Sequence, residues 1–177
     1  MADDRLASRV RRTLRDVPDF PKPGIVFKDI TPVLADATLF ADVITAMATW
    51  YQGSGITHVA GVESRGFIFA APIACAIGAG FLPIRKPGKL PSQTIAREYA
   101  LEYGSDRLEM HADACVAGSR VLLVDDVLAT GGTSAAAASL IEAIGSEVIG
   151  CAFLLAIDSL HGADCMQGRP VRVLLHV

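Results

Sequence analysis

Two adjacent carboxylates, Asp125 and Asp126, stand between a run of apolar residues and a short loop of small residues. The loop carries few β-carbons, so its backbone N–H groups can approach a ligand closely. A helix is predicted to follow, and the unpaired N–H groups and the dipole of a helix N-terminus favour an anion. The pattern therefore predicts a phosphate-binding loop, here termed the phosphate cradle, which consists of Ala129, Thr130, Gly131, Gly132 and Thr133.

The two carboxylates would repel a phosphate bound beside them, so we expect them to face hydroxyl groups or a divalent cation. A sugar phosphate meets both demands, with its phosphate in the cradle and its ring hydroxyls on Asp125 and Asp126. No Gly-Lys-Ser/Thr follows, so the cradle is not a Walker A loop, and it is not a dinucleotide fingerprint either. An ordinary strand–turn–helix connection with Asp126 as N-cap is the alternative, and the Ala-Thr-Gly-Gly-Thr run favours the ligand site.

Strands and helices alternate around this motif. Apolar runs predict strands over residues 58–62, 81–84, 120–126, 148–156 and 171–177. Helices are predicted over residues 6–17, 36–51, 66–77 and 133–144. Continuous apolar strands separated by helices are typical of parallel βαβ units. We therefore predict an α/β fold, a doubly wound, mainly parallel sheet flanked by helices, with ligands at the carboxyl ends of the strands.

Two segments depart from this alternation. Four prolines in residues 18–34 predict an extended or turn-rich segment, and Pro18 is expected to end the N-terminal helix. Residues 85–110 are polar and rich in turn residues, which is typical of a lid or binding loop. A β-hairpin that pairs residues 96–103 with residues 107–110 is compatible with that role. We predict one domain over residues 1–177, with an N-terminal segment (1–34) and a flexible lid (85–110).

Composition narrows the class of protein. The chain has 177 residues, 51% of them hydrophobic, and a net charge of −3, which excludes a disordered chain and disfavours a nucleic-acid partner. The uncharged residues 66–84 are long enough to cross a membrane, but their prolines and glycines favour a helix followed by a buried strand. The cysteines show no metal-binding spacing, and we expect reduced thiols in a cytoplasmic protein. They are Cys75, Cys115, Cys151 and Cys165.

Residues 121–133, VLLVDDVLATGGT, resemble the 5-phosphoribosyl 1-diphosphate signature of the type I phosphoribosyltransferases. Four further stretches make the chain similar to the adenine-specific branch of that family: PDFPKPGIVFKDITPVL, GVESRGFIFAAPIA, IRKPGKLP and EYALEYG. The resemblance implies a type I phosphoribosyltransferase fold with a small N-terminal hood. It implies transfer of the 5-phosphoribosyl group from 5-phosphoribosyl 1-diphosphate to adenine, giving AMP and diphosphate in purine salvage, with Mg²⁺ as cofactor.

The same resemblance assigns roles around the sugar phosphate. Asp125 and Asp126 would bind the ribose hydroxyls and hold Mg²⁺, directly or through substrate and water, while the cradle would bind the 5-phosphate. Arg65 would be the cation of a diphosphate loop, in which the peptide between Glu63 and Ser64 is typically cis. Many relatives have Asp where this chain has Glu63. Charge on the leaving diphosphate would be stabilised by Arg85, Lys86 and Lys89, a stretch that often serves a neighbouring subunit and so implies a homodimer.

The remaining roles concern the lid and the base. Glu102, with Tyr103 beside it in the lid, would exchange a proton with the base near the purine N7. Base contacts are implied for Val26, Phe27, Lys28 and Ile157. Enzymes that use oxopurines usually carry a Glu-Asp pair and a downstream lysine, which this chain lacks. A regulator that senses phosphoribosyl diphosphate is the other alternative, and it would need a nucleic-acid-binding element. We expect neither a membrane nor a nucleic acid as partner.

Overall fold

The computed structural model describes residues 2–100 and 105–177, and the chain divides into two compact units, Met1–Ala46 and Met47–Val177. The first unit contains α1 (Ala2–Thr13), β1 (Arg15–Pro18), β2 (Val26–Asp29), α2 (Thr31–Ala35) and most of α3 (Ala37–Thr49). Strands β1 and β2 pair antiparallel, with Val17 opposite Phe27. The Asp36 side chain accepts a hydrogen bond from the Leu39 N–H at 2.9 Å and so caps α3, as its place in the sequence predicted.

Two expectations for this unit are wrong. The first helix ends at Thr13 and not at Pro18, because residues 15–18 pair with β2 as a strand. Residues 18–34 are not wholly irregular, since they contain β2 and α2. Both prolines involved sit where a missing N–H costs little: Pro18 ends an edge strand, and Pro32 lies in the first turn of α2. The Phe20–Pro21 peptide is cis.

The second unit is built on five parallel strands in the order β4-β3-β7-β8-β9. Its elements in chain order are β3 (His58–Val62), α4 (Arg65–Ile77), β4 (Gly80–Ile84), β5 (Thr94–Ala100), β6 (Ser105–His111), β7 (Arg120–Leu128), α5 (Gly132–Ala143), β8 (Glu147–Ala156) and β9 (Val171–His176). The predicted parallel α/β sheet is confirmed, and β7 runs two residues beyond its expected end. No helix in the described ranges is long and apolar enough to cross a membrane.

Helices α4 and α5 cover opposite faces of this sheet. Ala60 and Val62 of β3 belong to the buried cluster that includes the alanine-rich face of α5. The intervening Gly61 faces α4, since a β-carbon there would lie 2.7 Å from the β-carbon of Ala70. Because neighbouring residues of a strand point to opposite faces, the two helices lie on opposite sides of the sheet.

The residues between β4 and β7 form the predicted hairpin, with a register that differs from the expected one. Strands β5 and β6 pair antiparallel, and Tyr99 lies opposite Asp106. Ser105 belongs to β6 and pairs with Ala100, whereas the predicted pairing in this strand began only at residue 107. Leu108 and Met110 of β6 are fully buried in the sheet core, which anchors the base of the hairpin.

Candidate active site

Parallel pairing of β3 and β7 brings two of the sequence motifs to one edge of the sheet. Residues 63–66 follow β3, and the carboxylates lie near the end of β7, the strand beside it. The two motifs touch, because a β-carbon at Gly66 would lie 2.8 Å from Asp125 Oδ1. A cation, two carboxylates and the start of a helix thus lie together at the carboxyl ends of β3 and β7, where a ligand site was expected.

Asp126 is buried, Asp125 is half-buried, and both carboxylates are held by their surroundings. Asp126 lies 2.8 Å from Arg65 Nε, and its side chain is only 5% exposed. Arg65 lies within ion-pair distance but off the hydrogen-bond line, and Asp126 Oδ2 accepts no hydrogen bond from the described part of the chain. Asp125 Oδ1 accepts the Asp126 N–H at 2.9 Å. The charge of Arg65 therefore holds Asp126 Oδ2, an oxygen that the surrounding protein covers almost completely.

Burial also changes the acidity of this pair. It raises the pKa of Asp125 well above its usual range, and repulsion from Asp126 raises it further. The pKa of Asp126 is raised by burial as well, although the Arg65 guanidinium opposes the change. Carboxyl groups with shifted pKa values at the end of a sheet strand are typical of functional sites, because a bound ligand or cation can stabilise the charge that burial disfavours.

The loop after β3 has the backbone geometry that the resemblance implied. The Glu63–Ser64 peptide is cis, as expected, and Arg65 is the first residue of α4. Arg65 is 41% exposed, so its guanidinium can reach a ligand while Asp126 holds it.

The Glu63 side chain contacts the stretch that follows β4. Its carboxylate accepts two hydrogen bonds from the Arg85 guanidinium, at 3.1 and 3.2 Å, and one from the Lys86 N–H at 3.0 Å. The Arg85 hydrogen bonds lower the pKa of Glu63 despite partial burial. Arg85 also donates to the Lys89 carbonyl at 3.1 Å. The Glu63 side chain thus helps to position residues 85–89.

A hydrogen-bond network in the hairpin joins Lys86 to the phosphate cradle. The Tyr99 hydroxyl lies 3.3 Å from Lys86 Nζ, 3.1 Å from Asp106 Oδ2 and 3.3 Å from Thr133 Oγ1. Lys86 also forms an ion pair with Asp106. Burial lowers the pKa of Lys86, but the hydrogen bonds that Lys86 donates to Asp106 and Tyr99 outweigh this effect and leave the pKa raised. Lys86 is therefore a cation already paired with an internal anion.

Proton counting fixes the direction of these bonds. An ionised carboxylate accepts only, so Tyr99 must donate its single proton to Asp106. The Tyr99 oxygen then accepts from Lys86 and from Thr133. The only hydroxyl proton of Thr133 is consequently committed to Tyr99, and it must turn away before it can serve an anion in the cradle.

The cradle itself sits at the start of α5, as predicted. Gly131 is the residue before the helix and has φ +81°, a conformation that glycine adopts without the cost other residues bear. The helix begins at Gly132, and Ser134 is buried in its first turn. The first turn of a helix carries N–H groups that the helix itself does not pair, together with the positive end of the helix dipole, so this position suits an anion.

The residues expected to contact the base fall in both units. Val26, Phe27 and Lys28 belong to β2, where the Phe27 ring meets Phe20 edge-on, with centroids 5.2 Å apart. Lys28 Nζ bonds Asp16 at 2.8 Å. Ile157 is half-buried, and its N–H donates to the Leu128 carbonyl at 2.9 Å, beside the end of β7. Glu102 and Tyr103 lie outside the described residues, so their roles stay predictions.

The metal expectation can be tested against the ligands present. Within residues 2–100 and 105–177, no group of three or more His, Cys, Asp or Glu side chains could hold a metal ion. Mg²⁺ commonly keeps several waters and binds through one or two carboxylates together with substrate phosphates. Asp125 and Asp126, with one buried oxygen lacking a hydrogen bond, fit that partial role.

Sequence reasoning missed several polar residues around the site. Tyr99 and Asp106 meet only because the hairpin register places them opposite each other. Glu109 accepts a hydrogen bond from the Gly88 N–H at 3.1 Å, and its own backbone pairs with that of Arg85. No local sequence pattern predicts these contacts, because they depend on the register between two strands.

Comparison with known proteins agrees with this geometry. A family model described as "Phosphoribosyl transferase domain" matches residues 33–173. The adenine phosphoribosyltransferase of Myxococcus xanthus is 55% identical over 175 residues, covering 99% of this chain and 95% of that protein. The enzyme of the same name from Anaeromyxobacter dehalogenans strain 2CP-1 is 57% identical over 166 residues, covering 94% of this chain and 96% of its own.

Solved structures give the same result. Adenine phosphoribosyltransferase from Thermoanaerobacter pseudethanolicus superposes with a TM-score of 0.94 at 46% identity, covering 97% of this chain and 99% of that one. The Saccharomyces cerevisiae enzyme, solved with an imino-altritol bisphosphate and adenine, has a TM-score of 0.92 at 38% identity, with the same coverage. The chain therefore belongs to the phosphoribosyltransferase family and, within it, to the adenine phosphoribosyltransferases.

Proposed function

We propose that this chain transfers the 5-phosphoribosyl group of 5-phosphoribosyl 1-diphosphate to adenine, giving AMP and diphosphate, and that the strand-end site described above performs the transfer. The observation that carries the proposal is the contact between the two loops: Asp125 and the buried Asp126 precede the phosphate cradle, and Arg65 lies 2.8 Å from Asp126. Similarity to a yeast enzyme solved with adenine supports the choice of base.

The ribose is held by the carboxylates and the cradle in this proposal. Asp125 and Asp126 accept hydrogen bonds from its 2- and 3-hydroxyls. Backbone N–H groups of residues 129–133, and the Thr133 hydroxyl once Tyr99 releases it, bind the 5-phosphate. The sugar is thus fixed at both ends, which orients its C1 for attack.

Bond breaking places charge at two positions. The C1–O bond to diphosphate breaks as the bond from the adenine nitrogen to C1 forms, and the sugar passes through an oxocarbenium-like state. Buried carboxylates stabilise positive charge on the sugar, while Arg65, Lys86 and Lys89 stabilise negative charge on the departing diphosphate. Arg85 contributes through the Glu63 pair by holding that stretch in place. Glu102 exchanges the proton of adenine near N7, and the lid excludes water.

Mg²⁺ is the cofactor in this proposal, with Asp125 and Asp126 as its protein ligands, directly or through substrate and water. When bound, it neutralises charge on the diphosphate. Phe27 and Ile157 contact the faces of adenine, and the backbone of Val26 and Lys28 reads its edge. An apolar pocket with a few edge hydrogen bonds suits a flat, neutral base.

Assembly and compartment complete the proposal. We expect a homodimer, because the 85–89 stretch often serves a neighbouring subunit in this family, and light scattering on the purified chain tests it. We place the enzyme in the cytoplasm. The four cysteines, all within the described ranges, form no disulfide, which is compatible with a reducing compartment.

The testing experiment measures diphosphate release from 5-phosphoribosyl 1-diphosphate with adenine, hypoxanthine, guanine, xanthine and orotate offered separately. We expect release with adenine alone, and none after Mg²⁺ is chelated. Release with an oxopurine would keep the sugar-phosphate site and overturn the base assignment. Tight binding of 5-phosphoribosyl 1-diphosphate without release with any base would contradict catalysis and favour a sensor.

A further inference from the structure

We propose that Gly162 is a positioning residue for the 5-phosphate, acting through the cradle backbone; this inference rests on the proposed role of the cradle. Gly162 begins a 3-10 turn, Gly162–Met166, that follows β8 and lies 33 residues beyond Ala129. The residues of the cradle give no indication of a contact with this turn. The two segments nevertheless meet at backbone-to-backbone distances that no side chain at either glycine would permit.

Gly162 is buried against the first peptide of the cradle. A β-carbon placed on Gly162 would lie 2.1 Å from the Ala129 carbonyl oxygen and 3.0 Å from the Gly131 nitrogen. The contact is reciprocal, because a β-carbon on Gly131 would lie 2.3 Å from the Gly162 oxygen. Both glycines are therefore required by close approach of two main chains.

A second contact lies one residue along. The Cys165 thiol donates to the Thr130 carbonyl at 3.2 Å, so two successive cradle carbonyls face the turn. In a trans peptide the N–H points opposite to the C=O. The N–H groups of Thr130 and Gly131 consequently point away from the Gly162–Met166 turn, which leaves them for the 5-phosphate in the proposed function.

The Gly162–Met166 turn is held in place by contacts with the buried core and with α5. Met166 is 1% exposed and belongs to the same buried cluster as the alanines of α5. Just beyond the turn, Arg169 forms two hydrogen bonds with Glu142 of α5, at 2.7 and 2.8 Å. The cradle therefore lies between the start of α5 and a turn anchored to that helix. Gly162 sets the plane of the peptides that bind phosphate without touching phosphate.

Replacement of Gly162 by alanine tests this role. The added methyl group must push the Ala129 carbonyl aside, and a shift of about 1 Å at a binding site can cost on the order of a hundredfold in rate. We expect the KM for 5-phosphoribosyl 1-diphosphate and the Kd for ribose 5-phosphate to rise about tenfold or more. The KM for adenine should change by less than about twofold, a split that general loss of structure would not produce.

Gly150→Ala is the matched control. Gly150 is also buried, in β8, and its β-carbon would lie 3.1 Å from the Tyr51 ring, away from the cradle. This variant should lose thermal stability without changing the KM for 5-phosphoribosyl 1-diphosphate. Normal activity of the unmodified chain with adenine verifies the proposed function separately. A folded Gly162→Ala variant with unchanged KM and Kd, or with equal losses for both substrates, would overturn the positioning role.

If Gly162→Ala does not fold, chemical modification of a chain that has already folded tests the positioning role instead. Cys165 is exposed, so N-ethylmaleimide can modify it in a Cys75→Ser background, with a single adduct verified by mass spectrometry. The adduct removes the bond to the Thr130 carbonyl and adds bulk beside it. We expect the Kd for ribose 5-phosphate to rise about fivefold. An unchanged Kd would contradict the proposal.

Discussion

Replacing Asp126 by asparagine separates the role of this carboxylate in folding from its role in the reaction. The change keeps the side-chain shape, so it opens no cavity. Loss of a hydrogen bond or ion pair to a charged group costs about 1.5–3 kcal/mol when buried, but Arg65 is 41% exposed, which reduces the cost to about 1 kcal/mol. Removal of a desolvated charge beside Asp125 returns a similar amount, about 1–3 kcal/mol.

The two effects nearly cancel, so we expect the melting temperature of Asp126→Asn to stay within about 4 °C of the unmodified chain. Turnover should fall about 100-fold or more, because a preorganised charge that stabilises the transition state is lost. Calorimetric melting and steady-state AMP formation measure the two quantities. Asp113→Asn, at an exposed position, is the control and should change neither.

The pH dependence of the stability of the same variant gives an independent test, because the sign of the change can be predicted. Folding raises the pKa of Asp126, so between the unfolded and folded values the folded state holds more protons and stability falls as pH rises. The penalty is absent below the ordinary pKa of the carboxyl and is complete only above the raised pKa of the folded state. Asp126→Asn should therefore gain stability relative to the unmodified chain on going from pH 4 to pH 8. A melting temperature lowered by more than about 10 °C, or retained turnover, would refute the reasoning.

Three further predictions concern neighbouring contacts. Glu63→Gln should lose stability relative to the unmodified chain above about pH 4.5, with the difference vanishing as pH falls through the lowered pKa of Glu63; melting curves from pH 3 to 7 test the sign. Gly61→Ala should cost about 1–3 kcal/mol by overlap with Ala70, as measured by urea unfolding, and Ala70→Gly should restore part of the loss. Tyr99→Phe should free the Thr133 proton and lower the Kd for ribose 5-phosphate about two- to tenfold by calorimetry, whereas weaker binding would contradict the proton count.

The parallel sheet was predictable because its strands are continuous apolar runs, whose burial on both faces leaves little alternative. Strand β3 was expected over residues 58–62 and is found there. Elements stabilised mainly by pairing were not predictable. Strand β2 has four residues in a proline-rich segment and owes its form to β1, and the hairpin register depends on which residues can pack inward.

The motif residues of the site were predictable for a related reason. Asp125, Asp126 and the cradle lie close together in sequence, and a phosphate-binding loop can be identified from the types of neighbouring residues. Gly162 and the Tyr99 hydroxyl act on that loop from distant parts of the chain. Their contacts arise from tertiary packing, and a single sequence offers no periodicity or spacing that marks them.

The central claim, transfer of phosphoribosyl to adenine at this strand end, is tested most directly by product identity and stoichiometry. Mass spectrometry and diphosphate quantitation would follow one reaction of the purified chain with adenine, 5-phosphoribosyl 1-diphosphate and Mg²⁺. We predict AMP and diphosphate in a one-to-one ratio, both abolished together by Asp126→Asn. Diphosphate without AMP would show hydrolysis in place of transfer and contradict the account.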